Sequence, residues 1–209
     1  MTSGFFITGT DTNVGKTVLS ALLCAALDGI YWKPIQTGAS EITDRRRVLE
    51  WAEVPEERTL PECYCFDLPL SPHLAARASG VTIDLARITR PESASGGPLI
   101  VEGAGGVLVP LNDTKLMVDL MAQLKLPVLV AARTSLGTIN HTLLTLRALR
   151  DFGVEVKGVV LIGEQNLDNR RSIEDYGRVV VVGWIPKLDS IHRRALLEVF
   201  HAHFETSQF

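Results

Sequence analysis

Near its start the chain reads Gly9-Thr10-Asp11-Thr12-Asn13-Val14-Gly15-Lys16-Thr17. An apolar run at 5–8 precedes this segment, and residues 16–27 follow it with apolar side chains at helical spacing. A glycine-rich loop between a strand and a helix is typical of a phosphate-binding loop, because free backbone N–H groups and the helix dipole attract phosphate oxygens. Five residues separate Gly9 from Gly15, whereas the standard pattern has four, and this spacing marks a subclass of such loops.

Two side chains at the end of this loop suit nucleotide chemistry. Lys16 can reach the outer phosphates of a nucleotide, and the hydroxyl of Thr17 can serve as a ligand of Mg²⁺. The alternative is a chance match of glycine, lysine and threonine, but the strand before the loop and the helix after it argue against chance. The segment therefore predicts a P-loop nucleotide-binding site.

Short apolar runs alternate with amphipathic segments along the rest of the chain. Strands are predicted at 5–8, 30–32, 99–101, 128–131, 159–162 and 179–182, and helices at 16–27, 44–52, 115–124, 140–152 and 190–204. The predicted strands are mostly apolar rather than alternating, which is typical of a parallel sheet covered on both faces. The expected fold class is α/β, with a mostly parallel β-sheet flanked by helices, in a single P-loop NTPase-like domain over residues 1–209. Segment 54–98 contains six prolines and is predicted to be irregular.

Composition excludes several classes of protein. The 209 residues are 46% hydrophobic and 22% charged, and the net charge of −3 leaves no basic excess for binding a nucleic-acid backbone. Apolar runs fall far short of the roughly 18 residues that a membrane span needs. The start of the chain lacks the basic region of a signal peptide, and the three cysteines form no CxxC pair. We expect a cytoplasmic protein with reduced thiols that binds neither nucleic acid nor membrane.

Polar residues follow the second and third predicted strands, at the edge where open α/β sheets bind ligands. Lys33 follows the second strand and could point into the crevice or lie at the surface. Glu102 opens the segment Glu102-Gly103-Ala104-Gly105-Gly106 after the third strand, where its carboxylate could bind Mg²⁺ or simply occupy a turn. Asp44 starts a predicted helix, so its carboxylate could also cap that helix.

Six motifs in this order resemble those of the dethiobiotin synthetase family. They are 9–17, Lys33-Pro34 with Thr37-Gly38, Ser71-Pro72-His73, 102–106, Leu136-Gly137-Thr138-Ile139-Asn140-His141 and Gly183-Trp184-Ile185-Pro186-Lys187-Leu188. The resemblance spans residues 6–188. It implies an ATP-dependent ligase of biotin biosynthesis that uses Mg²⁺ and makes dethiobiotin from 7,8-diaminononanoate and CO2. In that family an amine takes up CO2, the carbamate attacks the γ-phosphate of ATP, and the second amine closes the ureido ring.

The resemblance also implies roles for individual residues. The implied catalytic residues are Lys33, Lys16 and Thr12, and the implied Mg²⁺ ligands are Thr17, Asp44 and Glu102. The implied nucleotide-binding residues are Asp11, Thr12, Asn13, Val14, Gly15, Lys16, Thr17, Val18, Gly163, Pro186, Lys187 and Leu188. The implied substrate-binding residues are Thr12, Lys33, Thr37, Glu102, Gly105, Val107, Gly137, Thr138, Ile139 and Asn140.

A homodimer is implied as well, because in the family the segment 137–140 reaches the active site of the second subunit. This segment precedes a helix predicted to begin near Asn140, and free N–H groups at a helix start suit the substrate carboxylate. The alternative is that Asn140 merely caps the helix. His73 and His141 are given no role in proton transfer.

Two positions depart from the family's pattern. Asn13 stands where many members have an acidic residue, and Gly163 follows the fifth predicted strand where many have the Asn that reads adenine. The nucleobase preference therefore stays open. The alternative function is a partition-type regulatory P-loop ATPase, but Asp11 stands where that class has an extra lysine. A GTPase is disfavoured because its Asn-Lys-x-Asp pattern does not occur in the sequence.

Overall fold

The structure is a computed structural model that describes residues 4–91 and 96–209. The strands are β1 (Gly4–Gly9), β2 (Ile30–Trp32), β3 (Ile35–Thr37), β4 (Thr59–Leu60), β5 (Tyr64–Phe66), β6 (Leu99–Gly106), β7 (Val128–Arg133), β8 (Val156–Ile162) and β9 (Val181–Ile185). The α-helices are α1 (Lys16–Leu27), α2 (Asp44–Ala52), α3 (Pro72–Ala78), α4 (Met117–Leu124), α5 (Thr138–Asp151), α6 (Leu167–Gly177) and α7 (Arg193–His203).

The main sheet has seven strands in the order β4-β2-β6-β1-β7-β8-β9. Each pairing between neighbours is parallel, so the strands end at one common edge. Strand β1 lies between β6 and β7, with Ile7 opposite Glu102 and Gly9 opposite Ala131. The loop after β1 is therefore flanked by the ends of β6 and β7, and the end of β2 lies one strand further along.

Apolar residues cover both faces of this sheet. Successive residues of a strand point to opposite faces, and Phe5 and Ile7 belong to one buried cluster while Phe6 belongs to the other. The cluster of Ile7 includes residues of α1, α2 and α7, and the cluster of Phe6 includes residues of α4, α5 and α6. This two-sided burial is the physical reason for the uninterrupted apolar runs in the sequence.

The predicted fold class is confirmed, and three elements have the predicted bounds: α1, α2 and β2. Helix α5 begins at Thr138 rather than near Asn140, because Gly137 adopts a φ of 95° and serves as its N-cap. The last strand is shifted to Val181–Ile185, since residues 179 and 180 connect the end of α6 to it. Helices α4 and α7 begin two and three residues later than predicted.

The prediction that segment 54–98 is irregular was wrong in part. It contains α3, β4 and β5, and two short 3₁₀ helices at Glu56–Arg58 and Leu85–Arg87; residues 92–95 lie outside the described residues. Strand β5 pairs with β3 in a small parallel sheet of three-residue strands, too short to show a hydrophobic period. Helix α6 was also missed, because it buries little beyond Ile173 and lacks an apolar stripe.

Across the two described ranges, none of the helices is both long and apolar enough to cross a membrane.

Candidate active site

The loop after β1 wraps around the first turn of α1. Gly15 is the N-cap of that helix, with a φ of 102° that disfavours any residue with a Cβ. Lys16 is buried, and its Nζ donates a hydrogen bond of 3.0 Å to the carbonyl oxygen of Asp11 across the loop. Burial lowers the pKa of Lys16 to about 8, although the nearby Glu102 carboxylate opposes that shift. The loop thus presents a buried amine and free helix N–H groups toward the sheet edge.

Arg133, the last residue of β7, forms hydrogen bonds to the same loop. Its Nη2 donates to the carbonyl oxygen of Thr12 at 2.9 Å and to Oδ2 of Asp11 at 3.2 Å. No motif pointed to this residue. Its position at the end of a predicted strand was the available signal, since Lys33 and Glu102 were found by the same rule.

Glu102 lies within β6 and not in a turn, and it is only 1% exposed. Four donors surround its carboxylate. Oε1 accepts from the hydroxyl of Thr17 and from Nζ of Lys33, each at 3.0 Å. Oε2 accepts from the hydroxyl of Ser20 at 2.9 Å and from that of Tyr31 at 3.1 Å. The alternative of a charged turn residue is therefore wrong.

Lys33 lies between two carboxylates and is only 6% exposed, so it is not a surface lysine. Its ammonium donates to Oδ2 of Asp44 and to Oε1 of Glu102. Burial disfavours the charged amine, but the two carboxylates outweigh burial and hold the pKa of Lys33 above its ordinary value. Lys33 consequently stays positively charged at neutral pH.

Asp44 is the first residue of α2, and the cap of that helix is Thr43, whose hydroxyl accepts from the backbone N–H of Arg46. The alternative that Asp44 is the cap is therefore wrong. Its Oδ1 accepts from Nη1 of Arg47 at 3.2 Å, one helical turn further on. Burial favours the neutral acid, but Lys33 outweighs burial and holds the pKa of Asp44 below its ordinary value.

One cavity of about 810 Å³ is lined by Lys16, Thr17, Lys33, Asp44 and Glu102. Helix α2 contributes Arg47 and Trp51 to its wall in addition to Asp44. In all, eleven of the predicted site residues line this cavity: Thr12, Asn13, Gly15, Lys16, Thr17, Val18, Lys33, Thr37, Asp44, Glu102 and Gly105.

Other predicted site residues lie elsewhere. The side chain of Val14 is buried in the same apolar cluster as Ile7. Asp11 and Val107 line a neighbouring cavity of about 400 Å³, together with Thr12. Segment 137–140 lines neither of these two cavities, and Asn140 is exposed in the first turn of α5, so the alternative that it caps this helix is wrong.

The residues predicted on the nucleobase side surround the ends of β8 and β9. The N–H of Gly163 donates to the carbonyl oxygen of Ile185 at 2.9 Å, and the indole of Trp184 donates to the carbonyl oxygen of Gly163 at 2.8 Å. Pro186, Lys187 and Leu188 follow β9 directly and do not line the larger cavity.

A phosphate loop at the end of a central parallel strand, with polar residues at the adjoining strand ends, defines a P-loop nucleotide-binding protein. Solved structures of this class are similar to the chain in fold. A ParA family ATPase from Chlorobium tepidum aligns with a TM-score of 0.58 at 14% identity, covering 95% of this chain and 90% of that one. The MinC:MinD complex of Aquifex aeolicus aligns with a TM-score of 0.57 at 13% identity, covering 94% and 86%.

Sequence comparison identifies the family within this class. Residues 3–195 match a family model described as an AAA domain. The chain is 47% identical over all of its 209 residues to the ATP-dependent dethiobiotin synthetase BioD of Rhodopseudomonas palustris strain HaA2, covering 97% of that relative. It is equally similar to the protein of that name from Agrobacterium fabrum, at 47% identity and 98% coverage. The chain belongs to the dethiobiotin synthetase family, so the resemblance noted in the sequence is confirmed.

Gly15→Ala should distort the phosphate loop. A Cβ at this position would lie 2.7 Å from Cδ1 of Ile162, in addition to the strain of the positive φ. Gly153→Ala is the matched control, because its φ of 67° is also positive but a Cβ there meets no atom within 4 Å. We expect the control to lose about 1 kcal/mol of folding free energy, and Gly15→Ala to lose more and also to lose stabilisation by ATP. Thermal unfolding with and without ATP measures both effects, and an ATP-induced shift of wild-type size in Gly15→Ala would contradict the crowding argument.

Proposed function

We propose that this protein closes the ureido ring of dethiobiotin from 7,8-diaminononanoate and CO2, with cleavage of ATP to ADP and phosphate. The observation that carries the proposal is the full-length identity of 47% to relatives that bear the name of this activity. The site supports it with a phosphate loop, a buried cation and two carboxylates around one cavity. Residues 1–209 are proposed to form one domain, since the strands of the main sheet follow one another in a single seven-stranded sheet from β4 to β9.

In this proposal the phosphate loop binds ATP. Backbone N–H groups at the start of α1 hold the phosphates, and Lys16 neutralises the outer ones. The proposed nucleotide contacts on the loop are Asp11, Thr12, Asn13, Val14, Gly15, Lys16, Thr17 and Val18. Gly163 and Pro186, Lys187 and Leu188 are proposed to face the base, because Ile162, next to Gly163, lies against Gly15.

The proposed magnesium ligands are Thr17, Asp44 and Glu102. Their donor atoms are oxygens, which Mg²⁺ prefers, and the Thr17 hydroxyl is 3.0 Å from Oε1 of Glu102. Within the described ranges no group of three or more His, Cys, Asp and Glu residues is arranged to hold a metal, so these donors suit an ion that phosphate oxygens and water also bind. When bound, Mg²⁺ neutralises phosphate charge and orients the γ-phosphoryl group.

Lys33 is proposed to stabilise the reacting groups. The carbamate oxygen forms a bond to the γ-phosphorus while the bond to the bridging oxygen of ADP breaks. The second amine then attacks the carbamate carbon, phosphate leaves, and the amine proton is released. Negative charge is present on the carbamate and on the transferred phosphoryl group, so a fixed ammonium lowers the barrier. Thr12 and Thr37, which line the same cavity, are proposed as hydrogen-bond donors to these groups.

Dethiobiotin formation can be tested directly. The protein is incubated with ATP, Mg²⁺ and bicarbonate, with and without 7,8-diaminononanoate, while phosphate and product mass are followed. We expect phosphate release to depend on the diamine and to equal dethiobiotin formation mole for mole. Phosphate release that is the same without the diamine would reject ring closure and would favour a regulatory ATPase.

Lys33→Ala should lower kcat roughly 100-fold or more, on the scale of losing one electrostatic stabiliser of a transition state. Lys115→Ala is the matched control, because Lys115 is a half-exposed lysine whose ammonium lies 3.5 Å from Asp119, outside the cavity. The initial rate of diamine-dependent phosphate release measures both variants. Turnover near the wild-type value in Lys33→Ala would rule out its catalytic role.

A homodimer is proposed because one chain leaves part of the substrate site incomplete. Segment 137–140 lies outside the larger cavity, whereas the proposed substrate contacts Gly105, Thr37 and Lys33 line it. Leu108 and Leu144 are exposed around the smaller cavity, which Val107 also lines. A second copy would cover these apolar side chains and bring its own Gly137, Thr138, Ile139 and Asn140 to the substrate carboxylate.

The cytoplasm is the proposed compartment, since Cys63 and Cys65 are exposed free thiols and the reaction consumes ATP.

Complementation between two variants tests the shared site. Asn140→Asp places a like charge beside the substrate carboxylate and should lower activity, as Lys33→Ala does. In a mixed dimer both lesions fall on one site and the other site is intact, so mixing should restore roughly a quarter of the wild-type sites. Recovery is measured after subunit exchange, with sedimentation to confirm the dimer. A mixture no more active than its components, or a fully active monomer, would contradict the shared site.

A further inference from the structure

The two oxygens of the Glu102 carboxylate have different surroundings. Oε1 meets the two groups that the proposed chemistry uses, the hydroxyl of Thr17 and the ammonium of Lys33. Oε2 faces away from them and accepts from two hydroxyls that the proposed chemistry does not use, those of Ser20 and Tyr31. The carboxylate is thus held on one side and presented to the cavity on the other.

The two hydroxyls on Oε2 are not equivalent. The hydroxyl of Ser20 is 2.9 Å from Oε2 but also 3.0 Å from the carbonyl oxygen of Lys16, and a hydroxyl has one proton to donate. Ser20 therefore divides its donation between two acceptors. Tyr31 lies on the neighbouring strand β2, and its hydroxyl points at Oε2 over 3.1 Å. The Tyr31 hydroxyl can donate its hydrogen bond to Oε2 without that competition.

Packing alone does not require this hydroxyl. Tyr31 is fully buried in the same apolar cluster as Ile7, where a phenylalanine ring would fill the same space. A buried hydroxyl costs free energy unless it is hydrogen-bonded, and here its partner is a carboxylate oxygen of Glu102. The terminal torsion of a glutamate is otherwise broad, so a fixed donor on one oxygen determines where the other points.

We propose that Tyr31 is a positioning residue of this site: its hydroxyl fixes Oε2 of Glu102, so that Oε1 is presented to a divalent cation bound beside Thr17. The inference rests on the proposed function for the role of Glu102 as a metal ligand. Outer partners that orient a ligating carboxylate typically contribute 10–100-fold to metal affinity, and Tyr31 acts on Glu102 in that way. The Tyr31 hydroxyl acts on the site through this hydrogen bond to Glu102.

Tyr31→Phe in the full chain tests the inference. Mn²⁺ is the probe, and its binding is followed by electron paramagnetic resonance with a non-hydrolysable ATP analogue present. We expect the Mn²⁺ dissociation constant to rise roughly tenfold or more, and the Mg²⁺ concentration for half-maximal turnover to rise in parallel. At saturating Mg²⁺ the KM for the diamine should stay near its wild-type value, because the proposed substrate contacts other than Glu102 are unchanged.

Tyr64→Phe is the matched control. Tyr64 is also buried, but its hydroxyl bonds to the backbone of Asp84, accepting from the N–H at 3.0 Å. We expect this variant to lose thermal stability and to keep wild-type Mn²⁺ affinity. If Tyr31→Phe behaves in the same way, its role is structural and the inference is wrong.

Ser20→Ala tests the inference even if Tyr31→Phe does not fold. With Tyr31 in place, Oε2 keeps the hydrogen bond from the Tyr31 hydroxyl, so Mn²⁺ affinity should stay within about twofold of wild type. A tenfold weakening in Ser20→Ala would assign the anchoring to Ser20 and overturn the proposal.

Failure of the inference and failure of ring closure give different results. If Tyr31→Phe weakens Mn²⁺ binding but the wild type releases no diamine-dependent phosphate, the positioning role stands and ring closure fails. If the wild type forms dethiobiotin equally well without a divalent cation, ring closure stands and the positioning role fails.

Discussion

A buried ammonium between two carboxylates organises this molecule. Lys33 follows β2, Glu102 lies in β6, and Asp44 begins α2, and the three meet with little solvent around them. Removing such charges from water costs on the order of several kcal/mol each, which their mutual attraction offsets only when the remaining hydrogen bonds are made. Glu102 meets this condition with four donors. Strands β2 and β6 and the start of helix α2 are therefore held in one arrangement by a single charged cluster.

The parallel sheet is what brings this cluster to the phosphate loop. Because the strands of the main sheet run in one direction, the residues after β1, β2 and β6 emerge at the same edge. The last residue of β7, Arg133, reaches the loop from the other side. The solved structures of similar fold are only 13–14% identical to the chain, so the fold supplies the edge and the side chains supply the chemistry.

Much of the fold and part of the site could be predicted from sequence. The bounds of α1, α2 and β2 agreed because apolar spacing and stop residues mark them locally. Lys33 and Glu102 were found because polar residues after apolar strands mark the ligand edge, although Lys33 alone also allowed a surface lysine and Glu102 alone a charged turn residue. Helix α6 and the pair β3 and β5 were missed because short or polar elements leave almost no periodic signal.

Local sequence alone settled the phosphate loop, the alternation of strands and helices and the family, because glycine spacing, helical periodicity and ordered motifs involve residues close together in the chain. Tertiary structure alone decided which distant groups meet. Tyr31 and Ser20 reach Glu102 across 71 and 82 positions, and Arg133 reaches Asp11 across 122. For Tyr31 and Ser20, nothing near them in the chain signals such contacts. They depend on strand order and on side-chain direction, and both of these are set by packing of the whole sheet.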